Sequence, residues 1–180
     1  MSTTTTDIQL ATGTWAIDPT HTEVGFVTRH LMVSKVRGSF REVSGTVEVA
    51  EDITQSVVDV TAQIASVETG SADRDTHLKS GDFFDAEQFP TMTFRSTAFD
   101  GATLTGDLTI KDVTKSVTFD VDFGGVGQDP WGNTKAGFEA TATVNRKDWG
   151  LTWNAAIEGG GVLVSDKIQL NIDVQLAKQA

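Results

Sequence analysis

The sequence predicts an all-β domain, because apolar and polar residues alternate with a period of two along most of its 180 residues. That spacing is typical of strands with one buried face and one solvated face. The clearest alternation covers residues 58–64, 117–123 and 168–176, and glycine, asparagine, aspartate or proline stands between most segments. Many short strands joined by such turns indicate a sandwich or a closed barrel, and the periodicity does not choose between them.

The remaining elements follow in chain order. The first twelve residues are rich in threonine and have no periodic apolar pattern, so we predict a disordered tail over residues 1–12. Residues 13–180 fit a single domain without a linker or an internal repeat. Weaker strand patterns cover residues 14–18, 22–29, 36–49, 91–98, 102–111 and 135–146.

Residues 71–89 interrupt the alternation and predict a short helix followed by a loop. Ser71 is a suitable N-cap, and acidic residues follow it in the first turn, where the helix dipole favours them. Gly81 is a plausible end of the helix, and Pro90 begins the next strand. We expect this insertion to cover one end of the sheet structure.

Composition and charge exclude several classes of function. The formal net charge of −11 disfavours nucleic-acid binding and electrostatic docking on anionic membranes. The absence of cysteine excludes thiol catalysis and disulfide bonds. The N-terminal region lacks the features of a secretory signal, and no window approaches the roughly 18 apolar residues that span a bilayer. Together with the initial methionine, this makes us expect a cytoplasmic protein.

Candidate catalytic groups are few. The sequence has no Gly-x-Ser-x-Gly turn and no phosphate-binding loop motif. His21, His30 and His77 lack the spacing of a helical zinc pair; they could meet in space, but hydrogen-bonding or rim roles are favoured. We therefore expect no catalytic residue, metal or cofactor. Ten Phe, four Trp and three Met supply bulky apolar side chains that could fill a core or line a cavity.

Four segments carry a resemblance to a known family: WAIDPTHTEVGF at residues 15–26, RDTHLKSGDFFD at 74–85, GDLTIKDVTK at 106–115 and RKDWGL at 146–151. In this order they resemble the YceI-like family of polyisoprenoid-binding, lipocalin-like proteins. The resemblance implies an eight-stranded antiparallel lipocalin-like barrel with a short helix and loop insertion near residues 71–89. It also implies an elongated apolar pore that holds a polyprenyl chain, such as a quinone tail or a polyprenyl diphosphate, and a homodimer.

On this basis we expect storage or transport of a long isoprenoid lipid rather than catalysis. The matching motif positions suggest His21, Arg74, Asp75 and His77 for the lipid head group. Arg74 could pair with a diphosphate, or Arg74 and Asp75 could form a salt bridge that anchors the helix over the barrel. The expected pore residues are Phe26, Phe40, Ile64, Phe83, Phe84, Phe94, Phe119 and Phe138.

Two alternatives stay open at this point. One is a metal- or acid-assisted enzyme that acts on a prenyl lipid through His21, His77 and nearby carboxylates. The other is a filled barrel that serves as a stress-related interaction module. The filled barrel predicts no cavity continuous enough to hold a chain.

Overall fold

The computed structural model describes residues 8–31, 33–154 and 164–180, so residues 1–7 of the predicted tail lie outside the described chain. Within these ranges there are eleven strands and one α-helix. Their bounds are β1 Gly13–Ile17, β2 Glu23–His30, β3 Ser34–Phe40, β4 Val43–Val49, β5 Val57–Gln63, β6 Val67–Glu68, α1 Ala72–Lys79, β7 Thr91–Phe99, β8 Thr103–Ile110, β9 Val113–Gln128, β10 Thr134–Asn145 and β11 Lys167–Lys178.

Eight of the described strands close into an antiparallel barrel in the order β1-β4-β5-β7-β8-β9-β10-β11. The ring closes where β1 pairs with β11, with Trp15 opposite Lys178. Closure removes the free edges that an open sheet would leave. The structure thus confirms the predicted all-β class and the eight-stranded barrel, and it decides between the barrel and the sandwich that the periodicity left open.

Strands β2, β3 and β6 extend the sheet beside the barrel. The N-terminal half of β11 pairs with β2 instead of β1, with Gln169 opposite Val27. Strand β3 follows β2 as a hairpin and meets β6 only at Ser39 and Phe40, so its first five residues form an edge in the described chain. Residues 36–49, predicted as one strand pattern, divide into β3 and β4.

The predicted helix is present as α1, which begins after Ser71 as expected. The Ser71 hydroxyl accepts a hydrogen bond from the Arg74 amide at 3.4 Å. The helix ends at Lys79 with Ser80 as its C-cap, one residue before the predicted stop at Gly81. Leu78 then packs against the apolar side chains inside the barrel, which holds α1 across one end. We call this the helix end.

The opposite end is closed by a separate apolar cluster around Trp15, which is fully buried with Val49, Ala136 and Leu176. The Trp15 indole donates a hydrogen bond to the Ala11 carbonyl at 2.9 Å, so residues preceding β1 also contact this cluster. We call this the Trp15 end. Between the two ends, alternate residues of each long strand point into the barrel, as the period-two pattern requires.

Candidate ligand cavity

The barrel encloses a cavity of about 680 Å³ that extends from the helix end to the Trp15 end. Strand β11 shows its length, since five alternate residues line it: Ile168, Leu170, Ile172, Val174 and Leu176. At about 3.3 Å per residue, these positions span about 26 Å along the strand. The interior is therefore open rather than filled, and its volume lies in the range typical of small-molecule sites.

Seven of the eight expected pore residues line this cavity: Phe26, Phe40, Phe83, Phe84, Phe94, Phe119 and Phe138. Several pack edge to face or tilted, which are the favoured arrangements of aromatic rings. The ring centroids of Phe94 and Phe119 are 5.3 Å apart, and those of Phe40 and Phe84 are 5.8 Å apart. These contacts fix the rings as walls. Whether they contact a ligand stays a prediction.

Ile64 is the expected pore residue that does not line the cavity. The strand pattern of residues 58–64 ends at Gln63, and Ile64 begins a short 3-10 turn. Its side chain is 1% exposed and packs with Phe40, Val43 and Val67. The alternating sequence pattern therefore extends one residue beyond the end of β5, and Ile64 belongs to the packed cluster beside the cavity.

Arginine, aspartate and histidine lining groups concentrate at the helix end, where we define the mouth by Arg29, His30, Asp73, Arg74 and His77. Arg29, Asp73 and Arg74 are exposed, so this end reaches solvent. Away from the mouth, the Thr22 and Ser56 hydroxyls accept hydrogen bonds from the backbone amides of Gln175 and Ala50. The cavity is thus an apolar tube with a polar opening, where arginine, histidine and aspartate side chains meet.

Arg74 and Asp75 do not form the salt bridge that the sequence left as an alternative; both bind Thr69 instead. The Arg74 guanidinium donates to the Thr69 hydroxyl and carbonyl, each at 2.7 Å. The Asp75 carboxylate accepts from the Thr69 amide at 2.9 Å and from its hydroxyl. The two side chains together fix the start of α1 to the end of β6. Arg74 lines the cavity, whereas Asp75 does not.

His77 lies inside an aromatic cluster at the mouth. Its ring packs edge to face against Trp153 at 4.6 Å and Phe83 at 5.0 Å, measured between ring centroids. Its Nε2 is 2.9 Å from a carboxylate oxygen of Asp82. The imidazole therefore joins the apolar wall to the polar opening, with one edge on each.

His21 lies elsewhere and does not line the cavity. Its Nδ1 is 3.1 Å from Asp18, which also accepts a hydrogen bond from Lys135 at 3.0 Å. The hydrogen bond from the Thr20 hydroxyl, followed by those from Lys135 and His21, holds the pKa of Asp18 well below its ordinary value despite desolvation. No contact within the described chain joins His21 to His77, so the structure does not assemble the predicted head-group set of four.

Arg146 and Trp153 are residues of the site that the sequence reasoning did not single out. Arg146 is 4% exposed, lies 5.9 Å from the Phe83 ring and donates to the carbonyls of Leu151, Trp153, Val164 and Ser165. Burial lowers the pKa of Arg146, and Asp166 opposes that effect. The matching segment at residues 146–151 pointed to this arginine, but no local pattern shows that four carbonyls surround it.

In residues 8–31, 33–154 and 164–180, no three His, Asp or Glu side chains gather closely enough to hold a metal ion. Across the same ranges, no helix has the length and apolar character needed to cross a membrane.

Comparisons with known proteins agree with this architecture. The model of the YceI-like domain matches residues 15–176. A UPF0312 protein of Staphylococcus aureus (strain MSSA476) is 38% identical over 167 residues, which cover 91% of this chain and 96% of the relative. The solved structure of the Campylobacter jejuni YCEI protein is 34% identical, covering 84% of this chain and 90% of that one, with a TM-score of 0.71.

More distant solved structures share the fold. Burkholderia cenocepacia BcnA has a TM-score of 0.75 at 22% identity, covering 88% of this chain and 98% of that one. A polyisoprenoid binding domain from Saccharophagus degradans has a TM-score of 0.67 at 12% identity, covering 92% and 98%. At these identities the likeness shows the fold alone.

Proposed function

The chain belongs to the YceI-like family, and from this premise we propose that it binds a long isoprenoid lipid, such as a quinone tail or a polyprenyl diphosphate, inside the barrel. The observation that carries the proposal is the cavity of about 680 Å³, which is apolar along its length and charged at the mouth. A prenyl chain has no polar atoms to satisfy, so such a tube suits it. The solved domain from Saccharophagus degradans, named for polyisoprenoid binding, supports the same ligand class.

Burial of the chain supplies the binding free energy in this proposal. Each buried methylene-sized group contributes about 0.8 kcal/mol, so a five-carbon unit contributes about 4 kcal/mol before ordering costs. Affinity should therefore rise with the number of isoprene units until the cavity is full. The alternating positions of β11 allow a chain that extends about 26 Å along the strand.

The head group is proposed to lie at the mouth, beside Arg74 and His77. Arg29 and His30 border the same opening, and the guanidinium of Arg74 keeps Nη1 without a partner in the described residues. Arginine donates well to phosphate and to carbonyl oxygens. His21 and Asp75 are not part of this proposal, because neither lines the cavity.

Binding without turnover is proposed over the enzyme alternative. That alternative required His21 and His77 to act together, and they have separate partners in Asp18 and Asp82. Storage or transport of the lipid, a homodimer and a cytoplasmic location stay predictions from the sequence. The described lining residues belong to a single chain.

The test is native mass spectrometry of freshly purified protein, followed by solvent extraction and mass analysis of the released molecules. We expect a bound species whose mass series is spaced by isoprene units, or uptake of added polyprenyl chains by the empty protein. A protein that is empty and also takes up no added chain would refute the proposal. Chemical change of the added prenyl lipid during incubation would support the enzyme instead.

A further inference from the structure

The tip of the β2–β3 hairpin exposes apolar side chains where solubility favours polar ones. Val33 is 81% exposed and Leu31 is 39% exposed, and both lie within the turn that joins His30 to Ser34. Isolated exposed hydrophobic residues are common on protein surfaces. Here the two lie together at the end of one hairpin, and that hairpin borders the mouth through His30.

Three cations lie on the strands behind this tip. Arg29 stands directly opposite Lys35 in the antiparallel register, and Arg37 follows two residues later on the same face of β3. All three are exposed, and none has an ion pair with a carboxylate in the described part of the chain. Like charges directly opposite each other destabilise a strand pair. The repulsion between Arg29 and Lys35 therefore destabilises this strand pair, and contact with a negatively charged surface would relieve it.

Protection of the sheet edge explains only part of this pattern. Lysine and arginine on an edge strand prevent edge-to-edge association, and the start of β3 is such an edge. Arg29, however, lies on β2, whose other side is covered by Val164 and Ser165. The exposed Leu31 and Val33 would favour association rather than prevent it. A role for the whole tip must account for both its cations and its apolar residues.

We propose that this docking tip, formed by Arg29, Leu31, Val33, Lys35 and Arg37, binds the surface of an anionic lipid bilayer. The cations would contact headgroup phosphates while Leu31 and Val33 enter the boundary between headgroups and acyl chains, as in other peripheral membrane elements. Because Arg29 and His30 also border the mouth, docking would bring the cavity opening against the membrane. Docking at this tip is a function additional to lipid binding in the cavity, because it specifies the membrane surface from which a prenyl lipid would enter.

The net charge of −11 by itself disfavours docking on an anionic membrane. At −11 the whole molecule is repelled by an anionic membrane at long range, so attraction must come from the tip at short range. Binding should therefore need the anionic lipid and weaken steeply with salt, because the Debye length shortens from about 10 Å at 0.1 M to about 3 Å at 1 M.

The test is flotation of the full chain with vesicles of phosphatidylcholine alone or mixed equally with phosphatidylglycerol, both free of prenyl lipid. We expect flotation with the mixed vesicles only. Each cation near an anionic surface raises partitioning about fivefold, so the pair Arg29→Gln and Lys35→Gln should lower the partition coefficient about 25-fold. The pair Arg95→Gln and Lys178→Gln, which removes the same charge elsewhere, should change it less than about twofold.

The apolar contribution is tested by Val33→Asn, with Trp131→Asn as its matched control, because Trp131 is 83% exposed on the β9–β10 hairpin at the other end. We expect Val33→Asn to lower partitioning about fivefold and Trp131→Asn to leave it unchanged. Equal losses in tip and control variants, or no flotation of the unaltered protein, would overturn the proposal. Because the vesicles contain no prenyl lipid, flotation reports membrane docking alone. Its outcome does not depend on whether the cavity binds a prenyl chain.

Discussion

The ring of Phe26 occupies the space that a side chain at Gly38 would need. The two residues are directly opposite in the β2–β3 register, and a Cβ at position 38 would lie 2.3 Å from Cζ of Phe26. The ring can therefore lie against β3 instead of projecting across the cavity. The same device recurs where Phe94 covers Gly106, with a corresponding distance of 2.5 Å. Glycine on these strands thus widens the tube by letting large rings lie against its wall.

The first prediction is that Gly38→Ala destabilises the barrel by about 1–3 kcal/mol, because overpacking forces the Phe26 ring or the β3 backbone to move. It should also weaken uptake of long chains, since a displaced ring enters the cavity. Urea denaturation and chain uptake measure the two effects. Adding Phe26→Leu to Gly38→Ala should restore most of the lost stability.

The matched control for this prediction is Gly127→Ala. A Cβ at position 127 would have no heavy atom within 4 Å, so the free energy of unfolding should change by less than about 0.5 kcal/mol. If Gly38→Ala behaves like the control, the ring of Phe26 is free to move and glycine at position 38 has no packing role.

The all-β class and most strand positions could be predicted from the sequence, because the period-two pattern is strong where one strand face is buried; the closed eight-stranded barrel followed only from the family resemblance. The inward positions of β11, from Ile168 to Leu176, were all predicted, and all line the cavity. The division of residues 36–49 into β3 and β4 was not, because the corner depends on distant partners. The Arg41 amide donates to the Ser66 carbonyl, and the Glu42 carbonyl accepts from the Gln63 amide.

The site was predictable only in part, for a related reason. Aromatic residues on inward strand faces follow from local alternation, so seven of the expected pore positions line the cavity. Residues at the mouth depend on how loops from distant segments meet. His21 and His77 both lie in matching motifs, yet one binds Asp18 beside β1 and the other packs on Trp153. Their spacing in the sequence does not predict that the two histidines lie apart in space.

The second prediction concerns the part of the cavity near the mouth, at Leu170 on β11, the second lining position from the helix end. Leu170→Trp should block the tube and abolish uptake of long prenyl chains while short ones still enter. Because the added ring enters the open cavity, the loss of stability should not exceed about 1–3 kcal/mol. Uptake is measured by native mass spectrometry against chains of increasing length.

Gln169→Trp is the control for this block, since Gln169 is the adjacent, exposed residue of the same strand. Uptake should be unchanged in this variant. If Leu170→Trp retains long chains as well as the control does, the chain does not pass this point of the barrel.

The third prediction concerns the head group. Arg74→Ala should weaken the binding of polyprenyl diphosphates about tenfold or more, as expected for loss of a charge-assisted hydrogen bond, and weaken quinones less. Asp75→Asn removes a different bond to Thr69 and is the control for loosening of α1. Equal weakening of both ligand classes in both variants would show that Arg74 only anchors the helix.

The fourth prediction concerns Thr28, whose buried hydroxyl has no hydrogen-bond partner in the described residues. Thr28→Val should raise the free energy of unfolding by about 1 kcal/mol, since it removes an unsatisfied polar group at nearly constant shape. That corresponds to a rise in Tm of about 3 °C. Ser96→Ala is the contrast, because the Ser96 hydroxyl accepts from the Val58 amide at 2.7 Å and its loss should destabilise. A destabilised Thr28→Val would mean that a bound water or ligand satisfies the hydroxyl.

The fifth prediction concerns Arg146, which connects the end of β10 to the segment carrying Trp153. Its guanidinium donates to the Leu151 and Trp153 carbonyls at 2.6 and 2.8 Å and to Ser165 at 3.0 Å. Lysine keeps the charge but cannot reach three separated carbonyls, so Arg146→Lys should cost about 3 kcal/mol.

Because Trp153 packs on His77, Arg146→Lys should also speed ligand release from the mouth, which dissociation kinetics after loading would measure. Lys147→Gln is the control, since the neighbouring Lys147 is half exposed and forms an ion pair with Asp166, so it should change stability by less than about 1 kcal/mol. A stability loss in Arg146→Lys without faster release would separate the two roles. It would mean that the Trp153 segment keeps its position through contacts other than this arginine.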